Sequence, residues 1–401
     1  MTPVASPARR RGMRSTAGVR LPEPVSPWVL HTTPRLGNLT ERWIELQVNA
    51  TDRFDSRLYG PLVAGDFMSD GMTDGARWIV PAPWSAAWLA YRGMFRTDGL
   101  SPVYLARQFR RNRPAVIHVH YGPPAAQLTL FAKVLERPLV ASFYGFDASV
   151  SRFREQWIWR RRYARLFRRA AAFVVEGPAM AARLEGLGCP GDAIRVARLP
   201  ADAGELAFVQ RRPADEFTVA VAGRFAEKKG FDLAIEAFAR AFSKHGDVKL
   251  LMVGGGPLEG DYRRLVAELG IEDRVEWTGR LPHREFMRSL ATAHVALYPS
   301  RTAANGDSEG GAPVTLIEAQ WLGVPAIVST HDDLPFVVPP DGATVLPERD
   351  VNVWADALRA LYEQPARLNE MGEIAQEFAR ANHSLEGNAL AREAIYREAL
   401  T

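Results

Sequence analysis

The stretch AVAGRFAEKKGFDLAIEAF (220–238) decides how the rest of the chain is read. A short apolar run ends at Gly223, Arg224 follows, and Lys228, Lys229 and Gly230 stand just before an amphipathic run of helix length, FDLAIEAFARAFSK (231–244). Strand, basic turn and helix in that order form one unit of a parallel βαβ sheet. Arg224 would project from the strand end and Lys229 from the helix start. A diphosphate there takes charge-assisted hydrogen bonds and the favourable end of the helix dipole. A merely solvated basic turn has the same composition, so this segment alone fits both readings.

Working outward, the pattern repeats on both sides. FTVAVAG (217–223), KLLMVGG (249–255), RVEWTG (274–279), HVALYPS (294–300) and PAIVST (325–330) read as strands in the second half. PWVLH (27–31), AVIHVH (115–120), PLVASFY (138–144) and AAFVVE (171–176) do so in the first. Continuous apolar runs of this length suit parallel strands covered on both faces. The 401 residues, 47% of them hydrophobic and 24% charged, are enough for two soluble cores. No short-period repeat is visible, which excludes a solenoid.

The seam falls in LPADAGELAFVQRRPADE (199–216), where two prolines interrupt the periodicity. The expected division is a disordered tail over 1–20, an N-terminal Rossmann-like domain over 21–205 and a C-terminal one over 206–381. The last segment, 382–401, is expected as a helix that packs back on the N-terminal domain. Two open sheets facing each other leave a cleft at the carboxyl ends of their strands, where such sheets bind ligands.

Two further segments carry chemistry. Val253-Gly254-Gly255-Gly256-Pro257-Leu258 is a glycine turn after a strand, but it lacks the full dinucleotide fingerprint, which argues against NAD. In PSRTAANGDSEGGAPVTLIEAQWLGVPAIVST (299–330) a small, polar loop runs into a helix that starts near Pro313. Free amides of Gly310, Gly311 and Ala312 would let a ligand approach closely. Glu318 sits on the otherwise apolar segment that follows. Its carboxylate needs partners, which a ribose diol would supply, unless it is simply an exposed helix glutamate.

In this order the three segments resemble the C-terminal half of the family-4 retaining glycosyltransferases, which have the GT-B fold, and the resemblance extends over roughly 25–400. It implies that Arg224 and Lys229 hold the donor diphosphate and act at the leaving group. It places Gly279, Arg280 and Leu281 beside the base, Glu318 on the ribose hydroxyls and Glu309 on the donor sugar. VIHVHYG (116–122) is similar to the family's strand with a histidine beside the reacting sugar, matched by His120. TTPRLGNLTERWIELQV (32–48) resembles the loop and helix that approach the phosphates and acceptor, with Gly37, Asn38, Thr40 and Glu41 at its tip. Thr40 also reads as an ordinary N-cap.

The sequence departs from the family pattern in three places. Glu309 and Glu318 have eight residues between them rather than the usual seven, so Glu309 or Gly310 takes the sugar-contacting place. Tyr144 stands where a histidine is common, and Phe336 where a glutamate often is.

The resemblance implies transfer of a hexose-type sugar from a UDP- or GDP-sugar to a glycan or lipid-linked acceptor, with retention, in surface polysaccharide or glycoconjugate synthesis. The alternative is an accessory subunit of the same fold that binds nucleotide sugar or a partner enzyme without turnover. No cofactor is expected, and no metal: no Asp-x-Asp motif closes a strand, and a cationic diphosphate site makes a divalent ion unnecessary. The single cysteine, Cys189, excludes an intrachain disulfide and fits a reducing, cytoplasmic setting. No apolar run is long enough to span a bilayer. The net charge of +4 and the lack of a recognised module argue against nucleic acid. SRFREQWIWRRRYARLFRRA (151–170), however, carries eight arginines among aromatics. Over 152–169 it either makes a peripheral contact with the inner face of an anionic membrane or packs its aromatics on the sheet with the arginines solvated.

Overall fold

A computed structural model describes residues 27–34, 41–51, 53–60, 78–79, 85–86, 89, 101–150, 155–202 and 216–401. Residues 1–20, and Gly37, Asn38 and Thr40, lie outside the described residues.

The chain forms two parallel sheets. The first has seven strands: β1 (Trp28–Thr32), β2 (Asp55–Tyr59), β3 (Trp78–Ile79), β4 (Val116–His120), β5 (Leu139–Ser142), β6 (Ala172–Val175) and β7 (Ile194–Val196). Their spatial order is β3-β2-β1-β4-β5-β6-β7. The second has six: β8 (Phe217–Arg224), β9 (Val248–Gly255), β10 (Val275–Gly279), β11 (Val295–Tyr298), β12 (Ala326–Ser329) and β13 (Ala343–Leu346), ordered β10-β9-β8-β11-β12-β13. β1, β4, β5, β6, β11 and β12 are buried along their whole length, as helices on both faces require. Each sheet reverses direction next to the first strand of its domain (β1/β4 and β8/β11), which is where an open α/β sheet leaves a crevice.

β2, β3, β7 and β13 were not read from the sequence. β3 and β7 are short edges, and β2 carries Asp55 and Arg57, an ion pair of 2.6 Å whose guanidinium lies 5.4 Å from the Trp28 ring. A polar strand that satisfies its charges locally shows no apolar run.

The last helix, Leu385–Leu400, packs against β4 and β5 of the N-terminal sheet. Glu393 accepts from the Arg53 backbone, Glu398 pairs with Arg195, and Asn388 donates to the Arg198 carbonyl. The helix therefore ties the end of the chain to the first domain.

In the arginine-rich segment the helix Trp157–Phe167 buries Tyr163 and Phe167 in the N-terminal core, while Trp157 stays exposed. Arg160, Arg161, Arg168 and Arg169 are exposed. The aromatics thus do not form one outward face, because Tyr163 packs on Phe143 and Phe167 on Phe173.

Candidate functional site

The basic turn lies where β8 ends. Arg224 is exposed, Lys229 half-buried, and both belong to the C-terminal sheet's first βα connection. Lys229 Nζ is 2.8 and 2.9 Å from the two carboxylate oxygens of Glu309. Its neighbour Lys228 reaches Asp307 at 3.1 Å and the Ser308 carbonyl at 2.9 Å. Burial pushes the Glu309 carboxyl up, but Lys229 and Lys228 outweigh it and hold the group below the usual range. Glu309 is therefore an anion held by Lys229, with the charge of Lys228 nearby.

The loop 307–312 meets the N-terminal domain directly. Gly310 has φ +76°, and a Cβ there would stand 2.2 Å from Gly145 Cα, a contact only glycine permits. The amides of Gly310 and Ala312 are not free, contrary to the sequence expectation. Gly310 N donates to Asp332 at 3.0 Å and Ala312 N to Glu176 at 2.7 Å. Buried amides at a helix start need acceptors, and two carboxylates supply them. Glu176 belongs to the N-terminal domain, just after β6, and Gly311 packs against it. Burial pushes its carboxyl well up, with Asp333, Glu309 and Asp147 adding to the effect.

The exchange is reciprocal. Asp333 of the C-terminal domain accepts from Ala179 and Met180 at the start of the N-terminal helix Pro178–Gly186. Asp333 thus caps a helix start of the other domain, and Glu176 holds the loop that leads into the helix Val314–Trp321. Arg183 on the same helix pairs with Asp332 and with Ser308.

Glu318 is buried on the helix Val314–Trp321, and His283 Nε2 lies 2.8 Å from its carboxylate. Arg42 from the N-terminal domain stands 3.4 Å from the same nitrogen. Gly279 and Arg280 are exposed at the end of β10, with the Arg280 side chain alongside Gly255; Leu281 is half-buried against the C-terminal core.

His120 ends β4 fully buried. Both its nitrogens are engaged, Nε2 at 3.1 Å from His31 Nδ1 and Nδ1 at 2.7 Å from the Tyr144 hydroxyl. The next residue, Tyr121, has φ +77°, a conformation a bulky residue holds only when its surroundings force it. Asp147 accepts from the amides of Gly122, Tyr144 and Gly145, and burial lifts its carboxyl to about 6. It fixes the loop that carries Tyr144.

The structure thus brings Lys229, Glu309, Gly310, Gly311 and Ala312 together at the domain boundary, and Glu318 on the helix that follows. Sequence reasoning missed Glu176, Asp333, His31 and His283. Histidine 31 had a signal, a polar residue inside an apolar strand. The two acids had none, since each accepts backbone amides of the other domain.

Two family models match in tandem: "Glycosyltransferase Family 4" over residues 73–204 and "Glycosyl transferases group 1" over residues 202–378. The chain belongs to the family-4 glycosyltransferases. WcaL of Escherichia coli K12, named for colanic acid biosynthesis, is 31% identical over 279 residues, 68% of this chain and 66% of that protein. The amylovoran biosynthesis glycosyltransferase AmsK of Erwinia amylovora is 30% identical over 253 residues, 63% of this chain and 61% of the relative. This chain therefore spans about two thirds or less of the length of the curated relatives it matches.

Among solved structures, Anabaena HepE in complex with UDP superposes with a TM-score of 0.72 at 15% identity, covering 92% of this chain and 98% of that one. Sucrose-phosphate synthase of Thermosynechococcus elongatus gives 0.71 at 18% identity, with the same coverage of 92% and 98%. This family-4 chain has the GT-B fold.

Proposed function

We propose that this protein transfers a hexose-type sugar from a UDP- or GDP-sugar to a glycan or lipid-linked acceptor, with retention of anomeric configuration. The observation that carries it is the cationic end of β8 paired with Glu309 in the same domain, with Glu318 on the helix that follows. The relatives' names support the direction: colanic acid, amylovoran and GDP-mannose-dependent mannosyl transfer to phosphatidylinositol mannoside. In the reading, Arg224 and Lys229 receive the diphosphate, and Lys229 leaves Glu309 as it does so. Charge that grows on the leaving diphosphate is met by these two cations without a metal or other cofactor.

Glu309, released from Lys229, or its neighbour Gly310 then faces the donor sugar, and Glu318 exchanges His283 for the ribose diol. The amides of Gly311 and Ala312 stand beside the sugar, Gly279, Arg280 and Leu281 beside the base, and Gly37 and Asn38 complete the phosphate side. His120 holds its place at the floor through hydrogen bonds rather than as a base. The reaction belongs on the cytoplasmic face of a membrane that holds the acceptor, with exposed Arg160, Arg161, Arg168 and Arg169 of the segment 152–169 in the contact.

Incubation with UDP- and GDP-hexoses and a panel of glycan and polyprenyl-linked acceptors tests the reading, with proton NMR of the product anomeric centre. A product that keeps the donor configuration is expected. Nucleotide binding without any turnover favours the accessory-subunit alternative, for which the full engagement of His120 is the motive.

A further inference from the structure

Under the cleft floor the N-terminal sheet and the last helix enclose a cluster of fully buried polar side chains. His31 comes from β1, His118 and His120 from β4, and Arg392 and Tyr396 from the helix Leu385–Leu400. His118 Nδ1 is 2.7 Å from the Tyr396 hydroxyl and 3.4 Å from Arg392 Nη1, and its Nε2 is 2.7 Å from Ser142 Oγ. The Tyr396 hydroxyl also meets His31 Nε2 at 3.4 Å, and His31 Nδ1 meets His120 Nε2 at 3.1 Å. His120 Nδ1 meets the Tyr144 hydroxyl at 2.7 Å.

A guanidinium only donates, and that settles every proton in the chain. Arg392 donates to His118 Nδ1, so that nitrogen is an acceptor and the His118 proton sits on Nε2, directed at Ser142. The Tyr396 hydroxyl must then also donate to His118 Nδ1. Its oxygen accepts from His31 Nε2–H, which leaves His31 Nδ1 as an acceptor for His120 Nε2–H. His120 Nδ1 is the last acceptor, and Tyr144 donates to it. With Arg392 donating to His118 Nδ1, no other assignment avoids two protons or two lone pairs facing each other.

We propose that Arg392 on the last helix is a positioning residue that sets the tautomer of His120 through Tyr396 and His31. The end of the chain thereby controls a side chain at the floor of the cleft about 270 residues earlier in sequence. Burial, followed by the nearby Arg392 charge, holds His31 well below the usual range and neutral, and the same two influences act on His118 and His120. The chain therefore carries tautomers rather than charge. Atoms of the three histidines lie close enough together to hold a metal ion. All six ring nitrogens have protein partners, however, and a guanidinium 3.4 Å away opposes a further cation.

Only the effect on turnover rests on the glycosyltransferase reading; the tautomers do not. Proton–nitrogen correlation spectra of the full chain labelled with 15N-histidine read them directly. The expected spectra show His31, His118 and His120 neutral and protonated on Nε2 at pH 7. In Tyr396→Phe, His118 keeps its tautomer, because Arg392 and Ser142 still hold it, while His31 and His120 become mixtures. Arg392→Met releases all three, and Arg392→Lys, another pure donor, restores them. With an active donor, Tyr396→Phe lowers kcat about tenfold at unchanged donor KM. His120 protonated on Nδ1 in the wild type, an unchanged His120 in Tyr396→Phe, or displacement of the three signals by equimolar zinc overturns the proposal. Loss of UDP and GDP binding in the wild type would instead count against the functional reading and leave the tautomer result standing.

Discussion

Lys229 Nζ lies within 2.9 Å of both carboxylate oxygens of Glu309, so the cation proposed for the donor diphosphate already has an anion. Binding is then an exchange of one anion for another at a half-buried lysine. This differs from a vacant basic patch, and it makes Glu309 a competitor as well as a candidate sugar contact.

Glu309→Gln separates the two roles. Without nucleotide, the variant leaves Lys229 without its counter-charge and melts a few degrees lower. UDP or GDP no longer competes with the carboxylate and binds about tenfold more tightly, roughly 1.4 kcal/mol. Turnover falls at the same time if the carboxylate contacts the sugar. Calorimetric titration alongside a melting curve checks both; weaker nucleotide binding in the variant would sink the exchange.

Acid sensitivity follows from the buried histidines. His31, His118 and His120 are held well below their ordinary range, chiefly by burial, and His383 is pulled down to about 4 by burial. The unfolded chain takes up protons at these four sites below about pH 6.5, and the folded one does not. Stability is therefore full above that pH and falls as the pH drops through it. Asp147, lifted to about 6, works the other way, as do Glu176 and Asp333, whose carboxyls burial also raises. Denaturant midpoints measured from pH 8 to 5 should fall steeply below 6.5, and a flat profile would contradict the neutral cluster.

Glu176 gives the opposite sign. Its carboxyl is raised by burial and by neighbouring acids, so the folded state resists ionisation and loses stability as pH rises above 4.5. Glu176→Gln keeps an acceptor for Ala312 N and removes that cost. The variant should melt about 2–4 °C higher than the wild type at pH 8, with the gap closing towards pH 4.5. A lower melting point at pH 8 would mean that the ionised carboxylate stabilises the boundary.

Much of the architecture was legible because central parallel strands must be apolar on both faces. VIHVH (116–120) and FTVAVAG (217–223) declare themselves in that way. β2 did not, because Asp55 and Arg57 neutralise each other locally. In the candidate site, Arg224, Lys229 and Glu318 stand out in the sequence by their places at a strand end, a helix start and on an apolar helix, and Glu309 by the family resemblance alone. Glu176, Asp333 and Arg392 were not, since each acts across a boundary with a partner more than 100 residues away. Local pattern carries no trace of such a contact. The same limit explains the amides of Gly310 and Ala312, which look free in sequence and are occupied by Asp332 and by Glu176 of the opposite domain.

The central claim is that the end of β8 is a nucleotide-diphosphate site. Calorimetric titration of UDP, GDP, ADP and NAD into the wild type and into Arg224→Ala/Lys229→Ala tests it most directly. Saturable binding of UDP or GDP by the wild type, weakened at least a hundredfold in the double variant, is the expected result. Equal binding by both proteins, or binding of NAD alone, would contradict the claim.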